Sequence, residues 1–518
     1  MKKSGFLIFT SVPLLFLLIY YKVFFADYAY LDEAHQLWHN QDGTNFSMFL
    51  IQGRWLTGKL IDELFGSIRH IAELKMLRLI SLAGWTATTL TWLWLARTWL
   101  RRSGINNHIL YLSIVFIITS PAVAITIGWA SCVEIFLATL FGLLSGSMLY
   151  RSLSATGAVL PLKKPALIVT VVFGLCSLFL YQNAFGMFLI PFLLELFNGN
   201  TANPLCPGTP DQQGSERRRR LITAVCIYLF IYLLYFILFR YQLLSAGIGR
   251  SDRAGISTDL SGKFSFFFSG PLPKAFAINF LYHTRTLFPQ ILAPLVIVAF
   301  LASVFIRWKF RGIKNNLLLI VCVIALLALI YLPSLAVTEN FSSYRTMLPF
   351  SLAIFLLLMI QLFHFIKTKK YQDWMMAGIS LLLIALGIYN FQVQFTRPLE
   401  REYQSLRSYL NRNYSPSITS IYFVRPRNRI FQERYGIYSV KDEFGNPSTE
   451  REWVPDPITR QIITEITGNR DTASRISIIQ FADEKSFTSS GLKLNNKVLL
   501  VDMNQLILDS GEPGTPTK

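Results

Sequence analysis

Eleven apolar runs punctuate the chain, near residues 5–26, 74–96, 107–121, 131–150, 165–181, 185–198, 221–239, 288–306, 315–332, 346–366 and 374–391. Many are long enough to cross roughly 30 Å of hydrocarbon at about 1.5 Å per residue, although 107–121 and 185–198 are short. The chain is 52% hydrophobic and only 15% charged, a balance that points to a multi-spanning membrane protein. Its net charge of +19 would suit a nucleic-acid partner, so the distribution of that charge decides. The basic clusters are Lys2-Lys3, Arg97 with Arg101-Arg102, Arg151 with Lys163-Lys164, Arg217 to Arg220, Arg307/Lys309/Arg311/Lys314, and Lys367/Lys369/Lys370. Each lies at the end of an apolar run, which is the pattern of cytoplasmic loops, and the nucleic-acid reading falls away. With the N-terminus inside, eleven passes put every cluster in the cytoplasm and the tail after Phe391 outside. Lys2-Lys3 before an apolar run also resembles a signal peptide, but Lys22 interrupts its end and Ala26 and Ala29 are badly spaced for cleavage. An uncleaved first span is expected.

The expected fold is therefore a polytopic α-helical membrane protein of about 11 spans over residues 1–397, with a small α/β extracytoplasmic domain over 398–518. In that domain SITSIYFV, RISIIQF and NKVLLVDMN read as strands. Asp456-Pro457 reads as the start of a helix through Ile458, Ile462 and Ile466. The end, GEPGTPTK, reads as a loose tail. The first external loop, 27–73, holds YAYLDEAHQLWHNQ and then an amphipathic stretch from Trp55, expected as a helix in the membrane interface. The aromatic run Phe264 to Phe268, bounded by Gly262, Gly270 and Pro271, is expected as a loop dipping into the surface. Cys132, Cys176, Cys226 and Cys322 fall in or beside spans and Cys206 in a cytoplasmic loop, so no disulfide framework holds the outer domain.

Two adjacent carboxylates, Asp32 and Glu33, stand just outside the first span. On a helix starting there, Asp32, His35, Gln36 and His39 share a face and Glu33 lies roughly 100° around. The bland reading is a charged first turn of a surface helix. Other polar groups expected at the same membrane face shift the balance: Arg54 in a GRW turn with Trp55, Tyr181-Gln182, His283 with Arg285, and Glu339 with Arg345. Acids beside arginines under a membrane surface suit sugar transfer from a lipid-linked phosphate. A carboxylate takes the acceptor hydroxyl's proton, and arginine forks receive the departing phosphate's charge. His35 and His39 at i, i+4 with Asp32 could hold a divalent metal, and no other cofactor is indicated.

LDEAHQLW is similar to the acidic motif of the protein O-mannosyltransferases and their bacterial relatives, members of the GT-C superfamily of membrane glycosyltransferases. QGRWL, SLFLYQNAFGMFL and SSYRTMLPF most resemble Gtr-type bacterial O-antigen glucosyltransferases, which use undecaprenyl-phosphate-glucose. The resemblance implies an inner-membrane enzyme with a periplasmic C-terminal domain, modifying lipopolysaccharide alongside a flippase and a donor synthase. It implies catalysis by Asp32 or Glu33, with Asp32 favoured although the pair is Asp-Glu where some relatives carry Asp-Asp. It further implies donor contacts from Arg54, Arg345, Arg285 and His283, and substrate contacts from Trp55, Tyr181, Gln182 and Glu339. A transporter of lipid-linked saccharides is the alternative, kept open by Glu134 and Glu195 inside spans.

Overall fold

The structure is a computed structural model and describes residues 3–40, 42–155, 164–198, 210–249, 251, 255–282, 287–308, 312–437 and 443–510. Among these, seven helices are long and apolar enough to cross a membrane: Ile71–Leu100, Ala130–Ser154, Ser215–Ala246, Leu287–Arg307, Ile313–Ile330, Leu348–Phe365 and Lys369–Asn413. The bent pair Asn107–Thr119 and Pro121–Gly128 makes an eighth if it counts as one span, and three shorter apolar helices cover Phe9–Phe25, Lys164–Leu180 and Gln182–Phe197. Each apolar run of the sequence is thus helical, while the short ones fall below spanning length on their own. The bend in the pair has a local cause. Ser120 is extended and accepts a hydrogen bond from the Val123 N–H at 3.2 Å, and Pro121 starts the second helix at a position needing no donor.

At one end of the bundle the described helix ends that carry arginine and lysine pack together. There Asn106 donates to Gln372 (2.8 Å), His108 meets Asp373 (2.6 Å), Arg307 donates to Gln361 (3.3 Å) and Arg220 Nε to Glu195 (3.1 Å). The C-terminal domain sits at the opposite end, carried by a helix that leaves the last span without a break. A π-helical stretch, Tyr389–Thr396, joins that span to Arg397–Asn413.

Three parallel strands, β1 (Ser420–Val424), β2 (Ser477–Phe481) and β3 (Val498–Asp502), lie in the order β2-β1-β3, with Ser420 opposite both Ser477 and Val498. All three fall inside the segments that read as strands. Helices supply the parallel crossovers, among them Asn428–Tyr435 and Pro455–Thr467 between β1 and β2. The last begins one residue before the expected Asp456, whose carboxylate pairs with Arg460 instead of capping. Phe264 to Phe268 forms part of a helix, Leu260–Ser269, rather than a loop; Asp259 caps it by accepting from Gly262 N–H at 2.8 Å. The stretch from Trp55 is helical to Gly66 and buries Thr57, Gly58, Ile61 and Phe65 against protein. GEPGTPTK lies outside the described residues, as does Cys206.

The domain is stitched to the 27–73 loop along its length. Leu31 N–H donates to Ser448 Oγ (2.8 Å), Arg407 pairs with Asp27 (3.1 Å), Gln461 donates to the Arg69 carbonyl (2.8 Å), and Ile71 N–H donates to Glu465 (2.7 Å).

Inside the bundle, Gly146 lets the helix Ile135–Ala155 approach the Gln182–Leu189 backbone; a Cβ there would stand 2.4 Å from the Phe188 carbonyl oxygen. Backbone cannot rotate aside, so Gly146→Ala should lower stability by about 1–3 kcal/mol, read as a reduced unfolding temperature of the purified protein in detergent.

Candidate functional site

The neighbouring acids have opposite surroundings. Glu33 is 0% exposed, and so is its partner Arg78, whose guanidinium donates to Glu33 Oε2 at 2.6 Å. Glu33 also accepts from Tyr30 N–H (2.7 Å) and from Ala130 N–H. Arg78 donates to the carbonyls of Tyr28 and Gly128, both at 2.9 Å, and lies 3.9 Å from the centre of the Tyr28 ring. Burial pushes the Glu33 carboxyl up to about 7, against the pull of Arg78 and the two backbone donors. This acid is consumed by structure.

Asp32 opens the helix Asp32–Trp38 and is half-buried; the indole N–H of Trp453 donates to its Oδ1 at 2.8 Å. The residue before it, Leu31, has φ +46° and ψ −112°, a conformation that costs a non-glycine residue on the order of 1–3 kcal/mol. Gln36 turns inward and accepts from Ser131 Oγ at 2.6 Å, so it leaves the face it was expected to share with Asp32.

The turn Gly128–Cys132 joins this loop to the arginines. The Arg345 guanidinium covers the Trp129 ring at 4.5 Å and donates to Cys132 Sγ at 3.5 Å, while Trp129 packs edge-on against Tyr30 at 5.1 Å. Arg345 Nε also stands 3.2 Å from Glu443, a buried acid of the C-terminal domain, whose carbonyl accepts from Tyr30 OH at 2.6 Å. Lys274 lies over the Tyr344 ring at 3.8 Å and donates to the Ser342 carbonyl at 2.7 Å. Burial pulls its amine down to about 7, with Glu443 pulling the other way. On the far side of the turn, Arg54 pairs with Glu134, donates to the Leu180 carbonyl at 3.1 Å, and stacks on Tyr181 at 4.8 Å. The second oxygen of Glu134 has no hydrogen-bond partner among the described residues.

Asp32 therefore stands two residues beyond Tyr30, whose ring packs on the Trp129 ring that Arg345 covers, and its hydrogen-bond partner among the described residues is Trp453 rather than Arg54 or Arg345. Gln182 serves the GRW turn: its amide donates to the Gln52 carbonyl (3.0 Å) and to Tyr235 OH (2.9 Å), which in turn donates to the Gly53 carbonyl at 3.1 Å. Trp55 is exposed beside it. Glu339 is exposed and lies between Thr338 and Asn340 on the rim of a polar hollow of ≈ 270 Å³ that Lys263 and Asp259 also line. His283 and Arg285 lie outside the described residues. The His35 and His39 rings stand 4.5 Å apart, and His39 bonds Asp42 at 2.5 Å. Burial and the neighbouring His39 lower the His35 imidazole from its ordinary value. Among the described residues no three His, Cys, Asp or Glu side chains converge as metal ligands.

Sequence reasoning missed Arg78, Lys274, Glu443 and Trp453. Arg78 had a signal, a charge inside an apolar run, and Lys274 another, a lysine in an apolar stretch apart from the basic clusters. Glu443 and Trp453 had none. Glu134 and Glu195, which kept a transporter in view, are paired with Arg54 and Arg220 near opposite ends of the bundle. In comparisons with known proteins, the chain matches no family model and no curated protein.

The two acids should separate on substitution. Glu33→Gln leaves Arg78 without its charge partner in a dry site and should cost about 3–5 kcal/mol. Asp32→Asn still accepts from the indole and should stay within about 1 kcal/mol. Thermal unfolding in detergent of both variants reads the difference.

Proposed function

We propose that the chain is a membrane glycosyltransferase of the GT-C kind. It transfers a sugar, glucose on the nearest motif resemblance, from a polyprenyl-phosphate to a hydroxyl of a cell-surface glycan or its lipid-linked precursor. The observation that carries this reading is the division of labour at the seam between bundle and domain. One carboxylate, Asp32, stays accessible, while Arg345 and Arg54 flank the turn behind it and Lys274 lies over Tyr344, the residue before Arg345. Asp32 takes the proton of the acceptor hydroxyl as its oxygen attacks the anomeric carbon. The bond from that carbon to the phosphate oxygen breaks on the opposite face, and the lipid phosphate departs with the electron pair and inverted stereochemistry at the sugar. Arg345 and Lys274 are the cations placed to receive that charge. A narrow cleft lined by Phe116, Pro121, Ala122, Ile278 and Met347 runs beside Lys274.

The same reading counts the bent pair and the three shorter helices as spans, for eleven passes, with the basic end of the bundle in the cytoplasm. It puts the protein in a bacterial inner membrane with the C-terminal domain in the periplasm, supplied by a donor synthase and a flippase. Arginine pairing near the two ends of the bundle, rather than acids at mid-depth, favours transfer over transport.

The reading is tested by incubating purified protein with labelled undecaprenyl-phosphate-glucose and lipopolysaccharide of the host bacterium. Label should enter the polysaccharide; movement of carrier between leaflets of vesicles without transfer would reject the enzyme. Asp32→Asn should abolish transfer while donor binding persists, and Arg345→Gln should slow it roughly 100-fold.

A further inference from the structure

The loop Ser448–Val454 of the C-terminal domain is built with more care than a surface connection requires. Glu402, 2% exposed, accepts from Ser448 N–H (2.8 Å), Thr449 N–H (2.9 Å) and the Thr449 hydroxyl (2.6 Å). Arg425 donates to the Glu450 carbonyl at 3.1 Å and pairs with Glu452 at 3.4 Å. From this frame the loop makes two contacts with the acid motif: Ser448 Oγ accepts from Leu31 N–H, and the Trp453 indole donates to Asp32. The strained Leu31 backbone is thereby held from the domain side, and Glu33 holds it from the bundle side.

Trp453 itself remains 45% exposed, whereas Trp85, Trp92, Trp99 and Trp129 are buried in the bundle. Its polar edge is spent on Asp32. An aromatic face left in water beside a carboxylate fits a ligand with an apolar face and hydroxyls on its rim, which is the chemistry of a sugar ring. The loop's charges, Glu450, Arg451 and Glu452, are of mixed sign and do not suit an anion.

We infer that Trp453 is the platform for the acceptor sugar. The acceptor ring stacks its C–H face on the indole and so brings the attacking hydroxyl to Asp32. The indole N–H holds Oδ1, leaving the other oxygen to take the proton. The C-terminal domain thus supplies the acceptor side of the site, while the bundle supplies the donor side. This inference rests on the glycosyltransferase reading and adds to it a residue that selects the acceptor.

The test compares wild type, Trp453→Ala and Trp453→Phe with undecaprenyl-phosphate-[¹⁴C]glucose as donor and lipopolysaccharide as the varied acceptor, after unfolding temperatures confirm that all three fold. Trp453→Ala should raise the acceptor KM about tenfold and leave the donor KM unchanged. Trp453→Phe keeps a ring but loses the N–H; it should restore the acceptor KM to within about threefold while lowering kcat. If alanine leaves the acceptor KM unchanged, or if phenylalanine and alanine change only kcat and to the same extent, the platform is overturned while wild-type transfer upholds the enzyme. If wild type transfers no label, the enzyme reading falls and the platform with it.

Discussion

The buried pair between Glu33 and Arg78 is the constraint on which the site depends. Both side chains are fully removed from solvent, and neither could remain charged there without the other. Such a pair is weak as a source of net stability, because desolvation offsets most of its attraction. Its strength is directional. Arg78 reaches two carbonyls from separate segments, Tyr28 and Gly128, while Glu33 gathers the N–H groups of Tyr30 and Ala130. The 27–73 loop and the turn after the bent pair are therefore held in one register, and displacing either leaves a charge unpaired in a dry interior.

Adjacent acids can then do different work. Glu33 faces inward and is saturated by donors, so Asp32, about 100° further around the helix, emerges at the seam. Leu31 absorbs the backbone cost of that turn, with φ +46° tolerated because contacts on both sides over-determine it. The arginines reach the same region from elsewhere in the chain. Arg54 comes from a loop held by Gln182 and Tyr235, and Arg345 from a 3₁₀ turn before the span Leu348–Phe365.

The C-terminal domain belongs to this construction rather than hanging from it. Glu443 stands against Arg345, and Glu402 organises the loop that touches Leu31 and Asp32. The continuous helix from Lys369 to Asn413 transmits the bundle's position to the domain without a flexible linker. A π-helical stretch lies where it emerges, and Phe391 and Phe395 of that stretch pack on Tyr20 and Tyr30.

Hydropathy determined by itself that this chain is a helical protein with membrane-length spans and a small α/β domain near its C-terminus. That signal is a local sum over a run of residues, and it persists whatever the partners. The three strands were legible for the same reason, as short runs of β-formers bounded by turn residues. That the acid pair must be either paired or exposed was legible too, since two charges so near hydrocarbon are costly. Only the tertiary structure decided which acid is spent and which is offered. That choice depends on Arg78, 45 positions away from Glu33, and on Trp453, 421 positions from Asp32. Pairings across such separations leave no periodicity in a single sequence, because each partner is placed by packing of elements that have nothing local in common. For the same reason Trp55 and Glu339, both candidates by position, proved to be exposed residues, while an unremarked tryptophan became the neighbour of Asp32.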